Sequence, residues 1–325
     1  MSYTGIHDKL SPFTLGTYMQ STQYAAAINS PFLLDNEDLY QHWRDKKLST
    51  HPCKIEDLLI EVRDPRSLSD IEYGALLKLT QKANMAIYVG NTGADPAPEI
   101  PMAVANRFGL GQINKNWLAD DNGLTSLTVA NEGVRQNYIP YTNRLINWHT
   151  DGYYNAADKQ VHALNLHVVQ KAASGGENQL MDHEIAYLLL REKSPDYIKA
   201  LMSNDAMLIP AGTKADGSVR PDRPGPVFSI TNQGNLHMRY TARKRNIKWS
   251  QNPLVQEAVT HLEAILNDQG SAYIFRGLLE SGMGLISNNV LHDRAAFTDN
   301  KENKRHYYRA RYFDRLSNTD VIDFI

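Results

Sequence analysis

Beyond about residue 124, apolar and polar positions alternate in short runs bounded by turn-forming residues, which is the pattern of half-buried β-strands. The runs cover 127–130, 144–148, 161–169, 227–230, 236–240, 273–275, 284–288 and 307–312. In the third run a period of two puts His162, Leu164, Leu166 and Val168 on one face, and Val161, Ala163, Asn165 and His167 on the other. Both faces carry polar groups, so a site is expected beside this strand. Helical spacing appears elsewhere. Ser69 or Ser67 is placed to cap a helix from Asp70 to about Asn84, with Ile71, Leu76, Leu77 and Leu79 partly periodic. A short strand at 86–89 follows, then the breaker run Gly93-Ala94-Asp95-Pro96-Ala97-Pro98 and a second helix at 101–108. Further helices are expected at 182–191, at 194–202 behind Ser194-Pro195, and at 253–267. The pattern predicts one domain over 1–325, mainly β with helical insertions. Its helix-rich portion, 1–110, covers a core at 111–325 built as a twisted sandwich or barrel.

Composition narrows the function classes. The 325 residues are 42% hydrophobic and 22% charged, which suits a globular chain and excludes disorder. Thirty-four basic side chains against 36 acidic leave a net charge of −2, too little to hold nucleic acid or an anionic membrane. The expected partner is a small molecule. A single cysteine, Cys53, excludes an intramolecular disulfide and points to a reducing, cytoplasmic compartment. The first residues lack a secretory pattern, and no run approaches the roughly 18 apolar residues of a membrane span.

Candidate chemistry begins at His149-Thr150-Asp151. In an extended segment the first and third side chains project to the same side, so one cation can meet an imidazole and a carboxylate together. Chance alone supplies on the order of one such triplet in a chain of this composition. The weight therefore comes from a second block, His292-Asp293-Arg294-Ala295-Ala296-Phe297-Thr298, followed by Arg305, Arg309 and Arg311, which share one face if extended. Two histidines and one carboxylate form a facial set that suits Fe(II) and leaves open positions, and a guanidinium beside it can clamp the distal carboxylate of a keto acid. Two other classes stay open on the residues alone: a zinc or manganese hydrolase using the same three side chains, and a non-catalytic β-sandwich that binds a ligand.

Across residues 140–315 the chain resembles the taurine/2,4-D dioxygenase superfamily of Fe(II)- and 2-oxoglutarate-dependent enzymes. The likeness is carried by His149-Thr150-Asp151, Gly175-Gly176-Glu177-Asn178 and the block from His292 to Thr298 with its trailing arginines. The last block is similar to that of the bacterial glutarate hydroxylase branch. The resemblance implies a double-stranded β-helix (jelly-roll, cupin-like) core and makes His149, Asp151 and His292 the iron ligands. It offers Arg305 and Arg309 for the 2-oxoglutarate carboxylate and for substrate, without deciding which does which. Asn178 stands where relatives commonly carry Thr as a further donor to that carboxylate. Arg311, Tyr153 and Tyr154 are candidates for substrate contact, with strand-face charge and core packing as their plain alternatives. The implied reaction consumes O2 and 2-oxoglutarate, releases succinate and CO2, and hydroxylates an aliphatic C–H of a small, carboxylate-bearing molecule. Asp151 stands where halogenating relatives have Gly or Ala, so hydroxylation is favoured. Relatives are often dimers or tetramers, which makes a homo-oligomer the corresponding expectation.

Overall fold

A computed structural model of the chain describes residues 29–115, 120, 122–213 and 217–325. Its strands form two main sheets. The larger has six strands in the order Leu59–Val62, Met85–Gly90, Met283–Ser287, Ala163–Gln170, His306–Tyr312, Thr125–Leu127. Every neighbouring pair is antiparallel except the first. The smaller sheet has the order Phe275–Gly277, Asn178–Met181, Leu291–Arg294, Ile146–His149 and is antiparallel throughout. From residue 125 the chain visits larger, smaller, larger and smaller sheet in turn; after a helical insertion it visits smaller, larger, smaller and larger. Neither sheet closes on itself.

The central strand shows how a period of two builds the core. Leu164, Leu166 and Val168 join Tyr307, Leu180 and Phe275 in one buried cluster that draws on both sheets. The opposite face is packed against other elements, whereas Arg309 and Arg311 stand across from Leu166 and Leu164, so the cavity they line lies beside this strand as expected. Asn165 donates to the Pro101 carbonyl at 2.7 Å, and His167 Nδ1 lies 3.0 Å from the Tyr88 hydroxyl. One polar atom of each side chain is thereby partnered, while Asn165 Oδ1 and His167 Nε2 are buried without a partner among the described residues. Gly284 makes that packing feasible: a Cβ there would stand 2.1 Å from Tyr88 Cζ.

The first 110 residues contribute more than helices. Leu59–Val62 and Met85–Gly90 extend the larger sheet as a parallel pair, joined by helix Asp70–Ala83, because parallel strands need a crossover. Ser69 caps that helix reciprocally with Glu72, and Asn84 ends it in the left-handed region at φ 57°. The apolar face is narrower than the spacing suggested: Leu76 is buried, whereas Ile71 is 86% exposed. Helix Glu37–Thr50 escapes sequence reading because it is mostly polar, burying only Tyr40, Trp43 and Lys47 along one stripe. Through Tyr40 and Trp43 it packs on a second cluster with Ile185, Leu188, Leu262 and Trp148, where the helices His183–Lys193 and Pro253–Asn267 meet the smaller sheet. Between Leu201 and Pro253 short hairpins form a further layer. Met207–Ile209 pairs with Arg223–Gly225 and Lys248–Trp249, and Gly212–Thr213 pairs with Val219–Arg220. Among the described residues no helix is long and apolar enough to cross a membrane.

Candidate active site

The two histidines meet because the smaller sheet pairs them. His292 stands directly opposite His149 in the antiparallel register, and opposed residues project from the same face. Their ring centroids are 4.3 Å apart. His149 Nδ1 lies 2.9 Å from the Asn147 carbonyl and His292 Nδ1 lies 2.9 Å from the Val290 carbonyl. Each Nδ1–H is therefore committed to the backbone two residues upstream, which fixes the tautomer and leaves each Nε2 as a lone-pair donor. Burial, then the neighbouring imidazole, pushes the His149 pKa down to about 3, so that ring is neutral and basic at Nε2.

Asp151 follows where the chain leaves the strand. Thr150, the middle of the triplet, is stitched to Tyr240: its N–H donates to the Tyr240 carbonyl at 3.0 Å and its hydroxyl accepts from the Tyr240 N–H at 3.1 Å. The Asp151 N–H donates to Asn289 Oδ1 at 2.8 Å, and Asn289 Nδ2 donates to the carbonyls of Asp151 and Val161. Asn289 adopts φ 54°, a conformation that asparagine tolerates better than most residues. Burial raises the pKa of the Asp151 carboxyl, but Arg309, Arg311 and the two imidazoles together outweigh it and hold the group ionised. Arg309 donates to Asp151 Oδ1 at 3.2 Å; Arg311 lies 3.7 Å from the same oxygen and donates to the Tyr154 hydroxyl at 2.7 Å.

These groups open onto a cavity of about 540 Å³ lined by His149, Asp151, Tyr153, Tyr154, Arg309 and Arg311. Three candidates, His292, Arg305 and Asn178, are not among its lining residues. Arg305 is buried behind Arg309, its guanidinium 3.7 Å from the Tyr307 ring centroid. Asn178 donates to the Asp293 carbonyl at 2.7 Å and lines a neighbouring depression. Trp148 belongs to the core. Three further arginines line it: Arg220 comes from a hairpin with no sequence signal, whereas Arg243 and Arg245 belong to a basic run, Arg239 to Lys248, that suits an anionic ligand or a solvated face. Asn289 was legible only as a polar neighbour of His292.

The residues fit a ferrous site of two imidazoles and one carboxylate, because the two Nε2 atoms are left free and the carboxylate is charged. Among the described residues no three His, Cys, Asp or Glu side chains are already grouped as a metal site, and the Asp151 carboxylate is engaged by Arg309. Nε of Arg294, Arg305 and Arg309 are each buried without a hydrogen-bond partner among the described residues. Replacing Asn289 with alanine removes three hydrogen bonds from the Asp151 turn and is expected to weaken Fe(II) affinity about 10- to 100-fold. Anaerobic Fe(II) titration of the folded variant checks this, and unchanged affinity would contradict it.

The fold has relatives among solved structures. An asparagine oxygenase in complex with Fe(II), 2S,3S-3-hydroxyasparagine and succinate aligns at a TM-score of 0.55 with 13% identity, over 95% of this chain and 92% of the other. A taurine dioxygenase from Burkholderia xenovorans aligns at 0.51 with 17% identity, over 80% and 89%. The non-heme iron oxygenase OrfP aligns at 0.54 with 13% identity, over 76% and 81%. In sequence, a uridine-5'-phosphate dioxygenase from Amycolatopsis sp is 29% identical over 182 residues, a match that spans 53% of this chain and 62% of the relative's length. The taurine catabolism dioxygenase TauD, TfdA family matches residues 46–311, from the second half of helix Glu37–Thr50 to the last arginine of the site, and the chain belongs to that family.

Proposed function

We propose that this chain is an Fe(II)- and 2-oxoglutarate-dependent oxygenase that hydroxylates an aliphatic C–H of a small anionic molecule and releases succinate and CO2. Its sheets are read as an open double-stranded β-helix, the form in which strands from one chain alternate between two layers. The observation that carries the proposal is the cross-strand pair His149 and His292, each with Nδ1 committed to a carbonyl, beside the ionised Asp151. Ferrous iron, when bound by these three side chains, supplies the activation of O2. The protein's own part is positioning. Arg309 at the cavity and Arg305 behind it are assigned to the distal carboxylate of 2-oxoglutarate; Arg311, Tyr153 and Tyr154 are assigned to the substrate. Asp151 fills the third ligand position with a carboxylate, which favours hydroxyl over halide transfer. A carboxylate-bearing substrate suits the arginines, and so does a phosphate-bearing one such as the named substrate of the Amycolatopsis relative.

The test begins anaerobically. Fe(II) followed by 2-oxoglutarate is expected to develop a weak visible charge-transfer band, and a panel of small carboxylates, sulfonates, betaines and phosphates is then screened in air for succinate release. Stimulation by one compound, with a product heavier by one oxygen, supports the proposal. No band, together with metal-dependent hydrolysis that needs no oxygen, would replace it with the hydrolase reading.

A further inference from the structure

Among the described residues, the cavity beside His149 and Asp151 is lined by Arg220, Arg243, Arg245, Arg309 and Arg311 against one carboxylate, Asp151. Five guanidinium groups facing a single carboxylate leave an excess of four positive charges in a space of about 540 Å³. Ferrous iron and doubly charged 2-oxoglutarate would cancel each other and leave that excess unchanged. Clefts lined by one sign of charge concentrate ligands of the other.

Three of the five arginines stand outside the contacts with Asp151. Arg309 and Arg311 are engaged with Asp151 and Tyr154. Arg220, Arg243 and Arg245 make no ion pair among the described residues; Asp222, whose Oδ1 accepts from the Ala211 N–H at 2.6 Å, acts on Arg220 only through its charge. Arg220 donates one Nη to the Pro210 carbonyl at 2.7 Å, while its other Nη is buried with no partner. Arg223 and Arg239 crowd it with like charge: Arg239 is spent on the carbonyls of Tyr153 and Arg223, and Arg223 Nε has no partner. Tyr154 accepts from Arg311 on one side and is within electrostatic reach of Arg220 on the other. It therefore stands between the triad and the remote arginines.

We infer that Arg220, Arg243 and Arg245 form the anchor for a phosphate monoester at the substrate end remote from the reacting carbon. A carboxylate would neutralise one of the surplus charges; a phosphate monoester carries up to two and offers three oxygens to guanidinium forks, whose geometry matches it in pairs. The inference deepens the oxygenase reading and rests on it for which end of the substrate faces the histidines.

The experiment uses the whole protein loaded anaerobically with Fe(II) and 2-oxoglutarate, titrated by calorimetry at pH 8 with methyl phosphate and with acetate. Methyl phosphate is expected to bind at least about tenfold more tightly than acetate. Arg220→Gln and the double variant Arg243→Ala/Arg245→Ala should each weaken methyl phosphate about tenfold or more, the size of a lost charge-assisted hydrogen bond. The charge-transfer band should persist in both. Equal affinity for the two anions, or phosphate affinity indifferent to all three arginines, overturns the inference. If no band forms in the wild type but methyl phosphate still binds through these arginines, the oxygenase reading fails and the anion site stands.

Discussion

Alanine in place of His292 is expected to reduce succinate release by more than about a hundredfold while leaving the protein folded. The figure is a lower bound, since loss of a group that merely orients a ligand already costs 10- to 100-fold. His292 faces His149 across the sheet, so its removal halves the imidazole donors and leaves His149 without its cross-strand partner. The side chain is buried at 7% exposure, and circular dichroism checks that the sheet survives its truncation. His149→Ala should behave alike. Asp151→Ala carries a further cost, because Arg309 loses its carboxylate and stands unpaired. The measurements are a coupled succinate assay, anaerobic Fe(II) titration and far-UV circular dichroism of each variant. Succinate release within tenfold of wild type in either histidine variant would remove the triad from the reaction.

Lys47→Ala is expected to destabilise the fold by about 3–5 kcal/mol, the cost of leaving buried charges without their partner. That corresponds to a fall in Tm of roughly 4–7 °C for a chain of this size. Lys47 is fully buried on helix Glu37–Thr50, with Nζ 2.6 Å from both Asp182 and Glu184, and it ties the N-terminal helix to the base of helix His183–Lys193. Substitution strands two carboxylates. Lys47→Met combined with Asp182→Asn and Glu184→Gln removes both signs together and should recover part of the loss, whereas a simple cavity effect would not be relieved. The pH profile supplies an independent sign. Burial raises the Asp182 pKa, but Lys47 outweighs it and holds the group at about 2. Its contribution to stability is therefore complete above about pH 4 and is lost as pH falls toward 2. His51 and His167 are pushed down to about 4 by burial, so the unfolded chain binds protons first, and stability declines as pH falls from 6.5 to 4. Denaturant melts across pH 3–8 should show the decline beginning near 6.5 in wild type. In Lys47→Ala the Asp182 contribution should be absent at every pH. A flat profile, or a Tm within a degree or two of wild type for that variant, would contradict the assignment.

Much of the β architecture was legible because a strand half-buried on one face must alternate, and alternation survives in a single sequence. The run from Leu164 to Val168 and the odd-numbered series Tyr307, Arg309 and Arg311 are oriented as that period requires. Helix Glu37–Thr50 and strand Leu59–Val62 were not legible. The helix buries only three side chains, one of them a lysine, and the strand has a burial pattern with no alternation to detect. Polar residues were the other source of error. Asn165 and His167 look like site candidates on a strand, yet their partners, Pro101 and Tyr88, come from elements remote in sequence. The basic run 239–248 suits an anionic ligand or a solvated face, and its members diverge. Arg239 is buried on carbonyl groups, Arg243 and Arg245 line the cavity, and Lys244 lines the depression on the other side.

By itself the sequence determined the chemical identity of the three presumptive ligands and the common side of the arginines on the last strand, since both follow from residue type and local period. Only the tertiary structure decided that residues 149 and 292 oppose each other, that Asn289 holds the Asp151 turn, and that a hairpin near residue 220 carries an arginine to the same cavity. Those relations depend on strand register and on the packing of distant segments. Both are set by the summed fit of many side chains, and no short stretch of chain encodes them.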